Sequence, residues 1–242
     1  MSDPELISIS IVSHAQGHLV KNLLADLRTL TGVRFEIIIT LNIPEDVQFL
    51  VPFRDLPIRV ISNAERKGFG ANHNAAFAQS RGNVFIVVNP DIRAQNFTFR
   101  PLLETLDTPL VGACAPLVMS SKGSTEDSAR RFPTLMRLLS RVILGRREPE
   151  YCPLFDPVVV DWVAGMFMAF KREVFARVGG FNERFFMYME DVDVCRRLKQ
   201  LGLAVVLDPR CSVVHDAQRA SHFRADHMRW HLRSAVRFFT GF

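Results

Sequence analysis

Two groups of acidic residues in this chain of 242 residues have the type and position to do chemistry together. The first is Asp91, which follows the aliphatic run Val84–Val88 after Asn89-Pro90. A carboxylate just past the end of a buried strand lies where open α/β sheets bind ligands, and it suits a divalent cation that bridges phosphates. The second is the pair Glu190-Asp191, which we expect to supply a base across the same crevice. Asn-Pro-Asp is also good turn chemistry, so a structural Asp91 is the alternative.

The acidic pair opens a predicted helix, Glu190–Leu201. Acids in a first helical turn complement the helix dipole and can cap it, which is the structural alternative. Two adjacent carboxylates followed by Asp193 exceed what capping needs, and like charges this close raise one pKa towards the range of a useful base. The aromatic residues leading into the helix are then either core or the wall of a sugar site: Phe181, Phe185, Phe186 and Tyr188.

The block Lys67–Asn74 places glycines at a predicted strand-to-helix junction. Glycine lets the backbone approach a ligand, and a helix N-terminus favours anions. The block is not a dinucleotide fingerprint, because His73 replaces the third glycine. A structural turn is the alternative.

His215 is a further candidate, after the strand-like Cys211–Val214. A lone histidine is more often structural than a ligand. Its position matters for chemistry only if it meets Asp91 in space.

Hydrophobic periodicity predicts the elements that must position these residues. The predicted strands are Leu6–Val12, Phe35–Leu41, Ile58–Ser62, Val84–Val88, Val111–Leu117 and Ala204–Leu207. The predicted helices are Leu19–Leu30 with Gly32 as a stop, Gly70–Gln79, a short helix from Arg172 that stops at Gly179-Gly180, Glu190–Leu201, and a C-terminal helix with Met228, Leu232, Val236 and Phe239 on one stripe. Alternating strands and helices predict βαβ units with a mainly parallel sheet. The C-terminal stripe fits docking on the core or, less commonly, a membrane surface.

A single domain, 1–242, is expected, with halves 1–118 and 158–242 separated by a mobile, polar and basic excursion, 119–157. Arginines cluster in two places: Arg130, Arg131, Arg137, Arg141, Arg146 and Arg147, then Arg210, Arg219, Arg224, Arg229, Arg233 and Arg237, the second opposed only by Asp216 and Asp226. Such patches suit nucleic acid, anionic lipid or phosphorylated small molecules, and a solvated surface is the alternative. No nucleic-acid motif accompanies them, so no nucleic-acid partner is expected.

Cysteine usage and the termini bear on location. The four cysteines lack C-x-x-C spacing and predict buried free thiols in a reducing compartment: Cys114, Cys152, Cys195 and Cys211. Met1–Glu5 is acidic and unlike a secretory signal. The longest apolar stretch, Val158–Phe170, is interrupted by Asp161 and is shorter than the about 20 residues of a membrane-spanning helix. A cytoplasmic protein is expected, with peripheral contact with the inner face of the cytoplasmic membrane as a hypothesis.

In order and context, these segments resemble the inverting family-2 glycosyltransferases, especially bacterial rhamnosyltransferase-like members acting on cell-surface polysaccharide. The resemblance covers nearly the whole chain. It rests on Ile11–His14, the Asn63…Asn74 block, Asn89–Asp91, Trp162–Met168 and, most specifically, Gly179–Asp193, and it ends near His215.

The resemblance implies an α/β fold of the GT-A (Rossmann-like) type, a mainly parallel central sheet flanked by helices with a C-terminal helical extension. It implies a nucleotide-sugar donor with Mg²⁺ or Mn²⁺ on the diphosphate. Asp91 matches the metal-binding carboxylate of the family's D-x-D motif, whose first aspartate is Asn89 here. Asp191 matches the catalytic base, with Glu190 beside it.

Other positions take their expected roles from the same resemblance. His215 matches a histidine that completes the metal site in some members. Donor contacts are implied for Ser13, His14, Asn42, Asn63, Lys67, Gly68, Asn74, Asn89 and Asp91. Acceptor contacts are implied for Trp162, Gly165 and Glu190. Asn42 stands where the family frequently has an acid.

The implied reaction moves a sugar, with L-rhamnose from dTDP-rhamnose as leading donor and UDP-sugars behind it, to a hydroxyl of a glycan or lipid-linked acceptor. A pyrophosphorylase, methyltransferase or dehydrogenase would need a glycine-rich first turn, but Ser13–Gly17 contains one glycine. A catalytically silent sugar-nucleotide-binding module is the remaining alternative, and retention of Asp91, Glu190 and Asp191 argues against it.

Overall fold

The computed structural model describes residues 6–134, 149–216 and 225–241. The strands in these ranges are β1 (Leu6–Ser13), β2 (Arg34–Leu41), β3 (Ile58–Ser62), β4 (Val84–Val88), β5 (Ile92–Arg93), β6 (Val111–Ser120), β7 (Ala129–Arg130), β8 (Val158–Val160), β9 (Trp162–Val163), β10 (Phe167–Lys171) and β11 (Ala204–His215). The helices are α1 (Gly17–Leu27), α2 (Phe69–Gln79), α3 (Arg100–Asp107), α4 (Arg172–Arg177), α5 (Glu190–Gln200) and α6 (Ala225–Thr240), with a 3₁₀ helix at Gln48–Phe53.

The central sheet is mainly parallel, as predicted. Its strand order is β3-β2-β1-β4-β10-β6-β11-β5, and β8 pairs separately with β11. Strands β3, β2, β1 and β4 run parallel, and so do β6 and β11. Strand β10 is antiparallel to both β4 and β6, which joins the two parallel groups into one sheet. The ends of β1, β2 and β4 therefore meet at one edge, where a ligand site is expected.

Helices cover both faces of the sheet. Ile37 and Ile39 point into the core under α1 and α3, whereas Ile38 points into the core under α2, α4 and α5. Strand β4 is buried along its whole length. A strand buried on both faces has a continuous apolar sequence, which is why Val84–Val88 could be predicted as a strand from the sequence.

Strand β11 is longer than predicted. The segments Ala204–Leu207 and Cys211–Val214 are one strand, with an irregularity in register between Asp208 and Ser212. Asp208 holds this irregularity, since its carboxylate accepts hydrogen bonds from the backbone and the guanidinium of Arg210. The strand then continues to His215.

The predicted stripe of α6 is not its docking face. Met228, Leu232 and Val236 are 60, 67 and 53 % exposed. The helix docks instead through a neighbouring face on which Ser234 and Phe238 are buried. The fourth member of the stripe, Phe239, is half-buried and packs against the core beside Phe238. The expectation that the stripe docks on the core was therefore wrong for three of its four members and is confirmed for Phe239.

Three of the four cysteines are buried free thiols, as predicted, but Cys152 is exposed. The buried-thiol expectation was wrong there. Within the described ranges, none of the helices combines the length and the hydropathy needed to cross a bilayer.

Several expectations fall outside the described residues. They are Met1–Glu5 and the arginines Arg137, Arg141, Arg146, Arg147, Arg219 and Arg224. The mobility of 119–157 and the division into halves stay predictions.

Candidate active site

A cleft of about 1210 Å³ opens at the carboxyl ends of β1, β2 and β4. Asp91, Glu190 and Asp191 all line this cleft. The structure therefore brings the two acidic groups to one cavity. Of the residues with implied roles, those lining the cleft are His14, Asn42, Lys67, Asn89, Asp91, Trp162, Gly165, Glu190 and Asp191.

At one corner of the site, Asp91, which lines the cleft, contacts His215, which is not itself among the described lining residues. The Asp91 Oδ2 to His215 Nε2 distance is 3.1 Å, and the other ring nitrogen, Nδ1, lies 2.8 Å from Glu126 Oε2. The backbone fixes the pair, because the Asp216 N–H donates to the Asp91 carbonyl at 2.9 Å. The hydrogen bond with Asp91, with a smaller contribution from Glu126, raises the pKa of His215 to about 9.

This corner fits a divalent cation. Its donor set is a carboxylate oxygen of Asp91 and an imidazole nitrogen of His215, both of which are ligands that a divalent ion accepts. Asp91 Oδ1 is buried and has no hydrogen-bond partner among the described residues. The described part of the chain contains no cluster of three or more His, Cys, Asp or Glu side chains able to hold a metal. An ion here would take its remaining ligands from diphosphate oxygens and water.

The carboxylate of Asp191 is held by two backbone donors. Gly165 N–H donates to Oδ2 at 3.1 Å, and Val192 N–H donates to Oδ1 at 2.9 Å. Burial raises the pKa of Asp191 despite these bonds. The carboxyl is thus oriented, open to the cleft and more basic than an ordinary aspartate, as a general base requires.

Glu190 is more deeply buried than Asp191, with 5 % of its surface exposed. Its Oε2 has no hydrogen-bond partner within the described ranges. Burial, and then the adjacent Asp191 charge, raise the pKa of Glu190 well above its usual range. Two carboxyls with different environments can divide the roles of base and hydrogen-bond donor.

The turn before this pair is strained. Tyr188 and Met189 have φ angles of 70° and 68°, a left-handed conformation that costs free energy in residues with a side chain. Asp193, the third acid, points away and pairs with Arg196 and Arg197 at 3.0 and 2.7 Å. That ion-paired network anchors α5, so Asp193 has a structural role.

The family model "Glycosyl transferase family 2" matches residues 8–179, which include most of β1, the Lys67 block and Asp91. The chain belongs to glycosyltransferase family 2. A second model, "N-terminal domain of galactosyltransferase", matches residues 160–227 of this glycosyltransferase, including the acidic pair.

Curated relatives of the glycosyltransferase cover almost all of it. An N-acetylglucosaminyl-diphospho-decaprenol L-rhamnosyltransferase of Mycobacterium tuberculosis is 28% identical over 97% of this chain and 84% of its own length. Rhamnosyltransferase WbbL of Escherichia coli is 29% identical over 96% of this chain and 92% of its own. The resemblance to rhamnosyltransferases is therefore confirmed at the level of sequence.

Solved structures confirm the GT-A fold. GalNAc-T7 with UDP, GalNAc and Mn²⁺ superposes with a TM-score of 0.69 at 16% identity, and the glycosyltransferase covers 89% of its own chain and 44% of that one. The mannosyltransferase PcManGT of Pyrobaculum calidifontis, with GDP-Man and Mn²⁺, gives 0.65 at 18% identity, with coverages of 98% and 65%.

The part of the cleft expected to bind the donor is held by a network of hydrogen bonds between side-chain amides and the backbone. Asn42 Oδ1 accepts from Lys67 N–H at 2.8 Å and from the Asn63 side chain at 3.1 Å, and its Nδ2 donates to the Lys67 carbonyl. Asn63 donates in turn to Asn72 at 2.7 Å. Asn42 therefore fixes the loop that presents Lys67 to the cleft, and a charged acid in its place could not donate to that carbonyl.

Five residues with implied roles are not among the described residues that line the cleft: Ser13, Asn63, Gly68, Asn74 and His215. Ser13 accepts from Gln16 N–H at the end of β1. A side chain at Gly68 would lie 2.5 Å from the Phe186 carbonyl oxygen, so this glycine permits close packing. Asn74 is bonded through both side-chain atoms to the Phe181 backbone, about which the turn before α5 is organised. Their direct donor contacts stay predictions.

Trp162 and Gly165, for which acceptor contacts are expected, both line the cleft. Trp162 Nε1 donates to the Arg131 carbonyl at 3.0 Å, and Arg130 lies over its ring, 5.3 Å from the centroid. A Cβ at Gly165 would lie 2.9 Å from the Phe69 ring. Gly165 therefore allows its N–H to reach Asp191, a role that glycine alone can fill without moving Phe69.

Of the aromatic residues that lead into α5, some lie in the core and others lie at the cleft. Phe181 and Phe185 are core, with 2 % exposure each, whereas Tyr188 lines the cleft. Phe186 lies 5.2 Å from Trp230 of α6, centroid to centroid.

Sequence reasoning missed the wall supplied by α6. His227, Trp230 and His231 line the cleft. Tyr188 stacks on His231 at 3.3 Å, and its hydroxyl lies 2.7 Å from His227 Nδ1. The spacing of 227, 230 and 231 marks one helical face and could have revealed this wall.

Two other features could not be read from the sequence. Glu126 lies in a connection far from His215 along the chain, and only the fold joins them. Arg210 was assigned to a basic patch, but it is paired with Asp208 and Glu104 and belongs to the structure of β11. That assignment was wrong.

Proposed function

We propose that this family-2 glycosyltransferase transfers L-rhamnose from dTDP-rhamnose to a hydroxyl of a lipid-linked or polysaccharide acceptor and inverts the anomeric configuration. The observation that carries the proposal is that Asp91 and Asp191 line one cleft. The similarity to two rhamnosyltransferases supports the sugar, and one of them, the N-acetylglucosaminyl-diphospho-decaprenol L-rhamnosyltransferase, supports a lipid-linked acceptor.

The donor diphosphate is assigned to the corner of Asp91 and His215. A divalent ion such as Mg²⁺ or Mn²⁺, if held here, would supply the positive charge that stabilises the diphosphate as a leaving group. Asp91 supplies the carboxylate oxygen and His215 the imidazole nitrogen that would hold the ion. Lys67, presented by the Asn42 network, adds positive charge on the same wall.

The acceptor hydroxyl is assigned to the corner of Asp191. Its oxygen forms a bond to the anomeric carbon while the bond from that carbon to the diphosphate oxygen breaks, and the hydroxyl proton passes to the Asp191 carboxylate. Attack from the face opposite the diphosphate gives inversion. The N–H groups of Gly165 and Val192 hold the carboxylate in place. Glu190 can hold a further acceptor hydroxyl through its unpartnered Oε2.

The direct test is an assay of purified protein with dTDP-rhamnose and UDP-sugars in Mn²⁺, using a lipid-diphosphate-linked amino sugar as acceptor. We expect product from dTDP-rhamnose, with the anomeric configuration inverted by NMR. Transfer only from a UDP-sugar would overturn the donor assignment. Tight Mn²⁺-dependent dTDP binding without turnover on any acceptor would favour the silent binding module.

We also propose peripheral contact with an anionic membrane surface through α6. The exposed residues Met228, Leu232 and Val236 form an apolar stripe, and Arg229 and Arg233 beside them are also exposed. Apolar side chains flanked by arginine suit the boundary of an anionic leaflet. Met228 also lines the cleft, so this contact would bring a lipid-linked acceptor to the site.

Sedimentation with vesicles tests the contact. We expect binding to vesicles with anionic phospholipid, weaker binding to neutral vesicles, and loss of binding in the triple variant Met228→Ser, Leu232→Ser, Val236→Ser. The matched control replaces three exposed apolar residues that are distant from α6 in the sequence. This triple variant, Val47→Ser, Val51→Ser and Val60→Ser, should bind as the parent does. Equal binding of the two triple variants would contradict the proposal.

A further inference from the structure

We propose that Glu126 is a positioning residue of the metal corner. Its carboxylate holds the His215 imidazole in the tautomer and orientation that present Nε2 to a divalent ion shared with Asp91. The inference rests on the metal role given above to Asp91 and His215. Neither the family match nor the motifs assign Glu126 any role.

The three side chains form one chain of contacts. Glu126 Oε2 is 2.8 Å from His215 Nδ1, and His215 Nε2 is 3.1 Å from Asp91 Oδ2. These side chains are 26, 16 and 23 % exposed, respectively, so none is a freely solvated surface group. Because the ring has two nitrogens and Glu126 occupies one of them, the other is directed at Asp91.

The backbone holds each member in place. Glu126 N–H donates to the Val118 carbonyl at 2.8 Å, and the Glu126 carbonyl accepts from Ser128 N–H at 2.8 Å. His215 is the last residue of β11, in register with β5 on one side and β6 on the other. The contact between Glu126 and His215 is thus built by the fold and does not depend on two mobile side chains meeting.

Glu126 acts through the ring and not on the ion directly. It contacts the nitrogen on the opposite side of the imidazole from Asp91. A carboxylate that accepts the Nδ1–H leaves the lone pair on Nε2 and makes that nitrogen a better ligand. Partners of this kind are typically worth about 10–100-fold in metal affinity.

The test measures Mn²⁺ affinity in the presence of dTDP by the EPR signal of free Mn²⁺. Glu126→Ala is expected to weaken Mn²⁺ binding about 10–100-fold, and Glu126→Gln less, since its amide oxygen can still accept from Nδ1–H. Glu173→Gln, at an exposed glutamate in the first turn of α4, is the matched control and should leave Mn²⁺ affinity unchanged. Affinity for dTDP without metal should be the same in all of these proteins.

A double-mutant cycle separates positioning from a structural role. In a His215→Ala background, Glu126→Ala should have no further effect on Mn²⁺ affinity. With diamagnetic Mg²⁺ and dTDP, the ¹⁵N shifts of His215 should show Nδ1 protonated and Nε2 bound in the parent, and should move towards those of the metal-free protein in Glu126→Ala at the same Mg²⁺ concentration. An equal loss of affinity with and without His215, or unchanged affinity in Glu126→Ala, would overturn the inference.

The outcomes also separate this inference from the proposed function. In one outcome, the parent binds Mn²⁺, Glu126→Ala weakens that binding as expected, and the parent transfers no rhamnose. This outcome would refute the sugar assignment and leave Glu126 in its role. Parent protein that binds no Mn²⁺ with dTDP would overturn both.

Discussion

The two acidic corners of the cleft contain similar side chains in opposite electrostatic settings. At one corner, Asp91 and Glu126 share the imidazole of His215, and the hydrogen bond with Asp91 raises the pKa of His215 to about 9. At the other corner, Asp191 is bonded to neutral backbone N–H groups, and burial raises its pKa. The first corner places two carboxylates around one imidazole, a setting that stabilises added positive charge. The second makes negative charge costly, which favours taking up a proton.

The largest expected effect comes from removing the carboxylate that we propose as the base. Asp191→Asn should lower turnover about 10²–10⁴-fold, because the amide cannot accept the hydroxyl proton. Binding of dTDP should persist, since the metal corner is untouched. The measurement is kcat together with dTDP affinity by calorimetry, and normal turnover would remove Asp191 from the role.

Removing the carboxylate of Asp91 should prevent metal-dependent binding of the nucleotide at the other corner. Asp91→Ala should abolish the Mn²⁺-dependent part of dTDP binding, since it leaves His215 as the remaining protein ligand assigned to the ion. Calorimetry with and without Mn²⁺ gives this difference. Unchanged metal-dependent affinity would contradict the assignment.

A smaller effect should follow from adding one methyl group beside the base. Gly165→Ala would place Cβ 2.9 Å from the Phe69 ring and 3.8 Å from Asp191 Cβ. The displaced N–H would no longer hold the carboxylate in line, and small misplacements of this kind cost up to about 10²-fold in rate. We expect a loss in kcat with Mn²⁺-dependent dTDP affinity preserved. An equal loss in both would show that the two corners are not independent.

Stability should respond in the opposite direction to activity at the base corner. The pKa of Asp191 is raised in the folded state, so the folded protein binds this proton more tightly than the unfolded chain does. The resulting contribution to stability is present at low pH. It is lost as the pH rises through the raised pKa. Asp191→Asn and Glu190→Gln should therefore raise Tm at neutral pH, by about 2–4 °C per kcal/mol recovered. The gain should shrink as the pH falls. A lower Tm in both variants at neutral pH would contradict the burial of charge.

The same raised pKa should shape the dependence of rate on pH. Turnover should fall on the acid side as Asp191 becomes protonated, with a midpoint above the ordinary pKa of an aspartate. The measurement is kcat against pH with saturating donor. An acid limb at the ordinary aspartate value would show that burial does not tune this carboxyl.

Much of the framework was legible in the sequence because buried parallel strands have continuous apolar sequences. Strands β3 and β4 lie where Ile58–Ser62 and Val84–Val88 were predicted. The position of Asp91 followed from the rule that ligands bind beyond the carboxyl ends of such strands.

Features that depend on contacts between residues far apart in the chain could not be predicted from the sequence. The stripe of Met228, Leu232 and Val236 has helical periodicity, but periodicity alone does not say which of two faces meets the core. Glu126 meets His215 across 89 residues of sequence, in a connection without a regular pattern. The amide network of Asn42 depends in the same way on loops that meet only after folding.

One paired measurement tests the division of labour most directly: Mn²⁺-dependent dTDP binding and sugar transfer, both recorded for Asp91→Ala and Asp191→Asn. The account predicts that Asp91→Ala loses both, whereas Asp191→Asn loses transfer and keeps binding. Asp191→Asn that loses metal-dependent binding as fully as Asp91→Ala, or that transfers sugar at the parent rate, would contradict it.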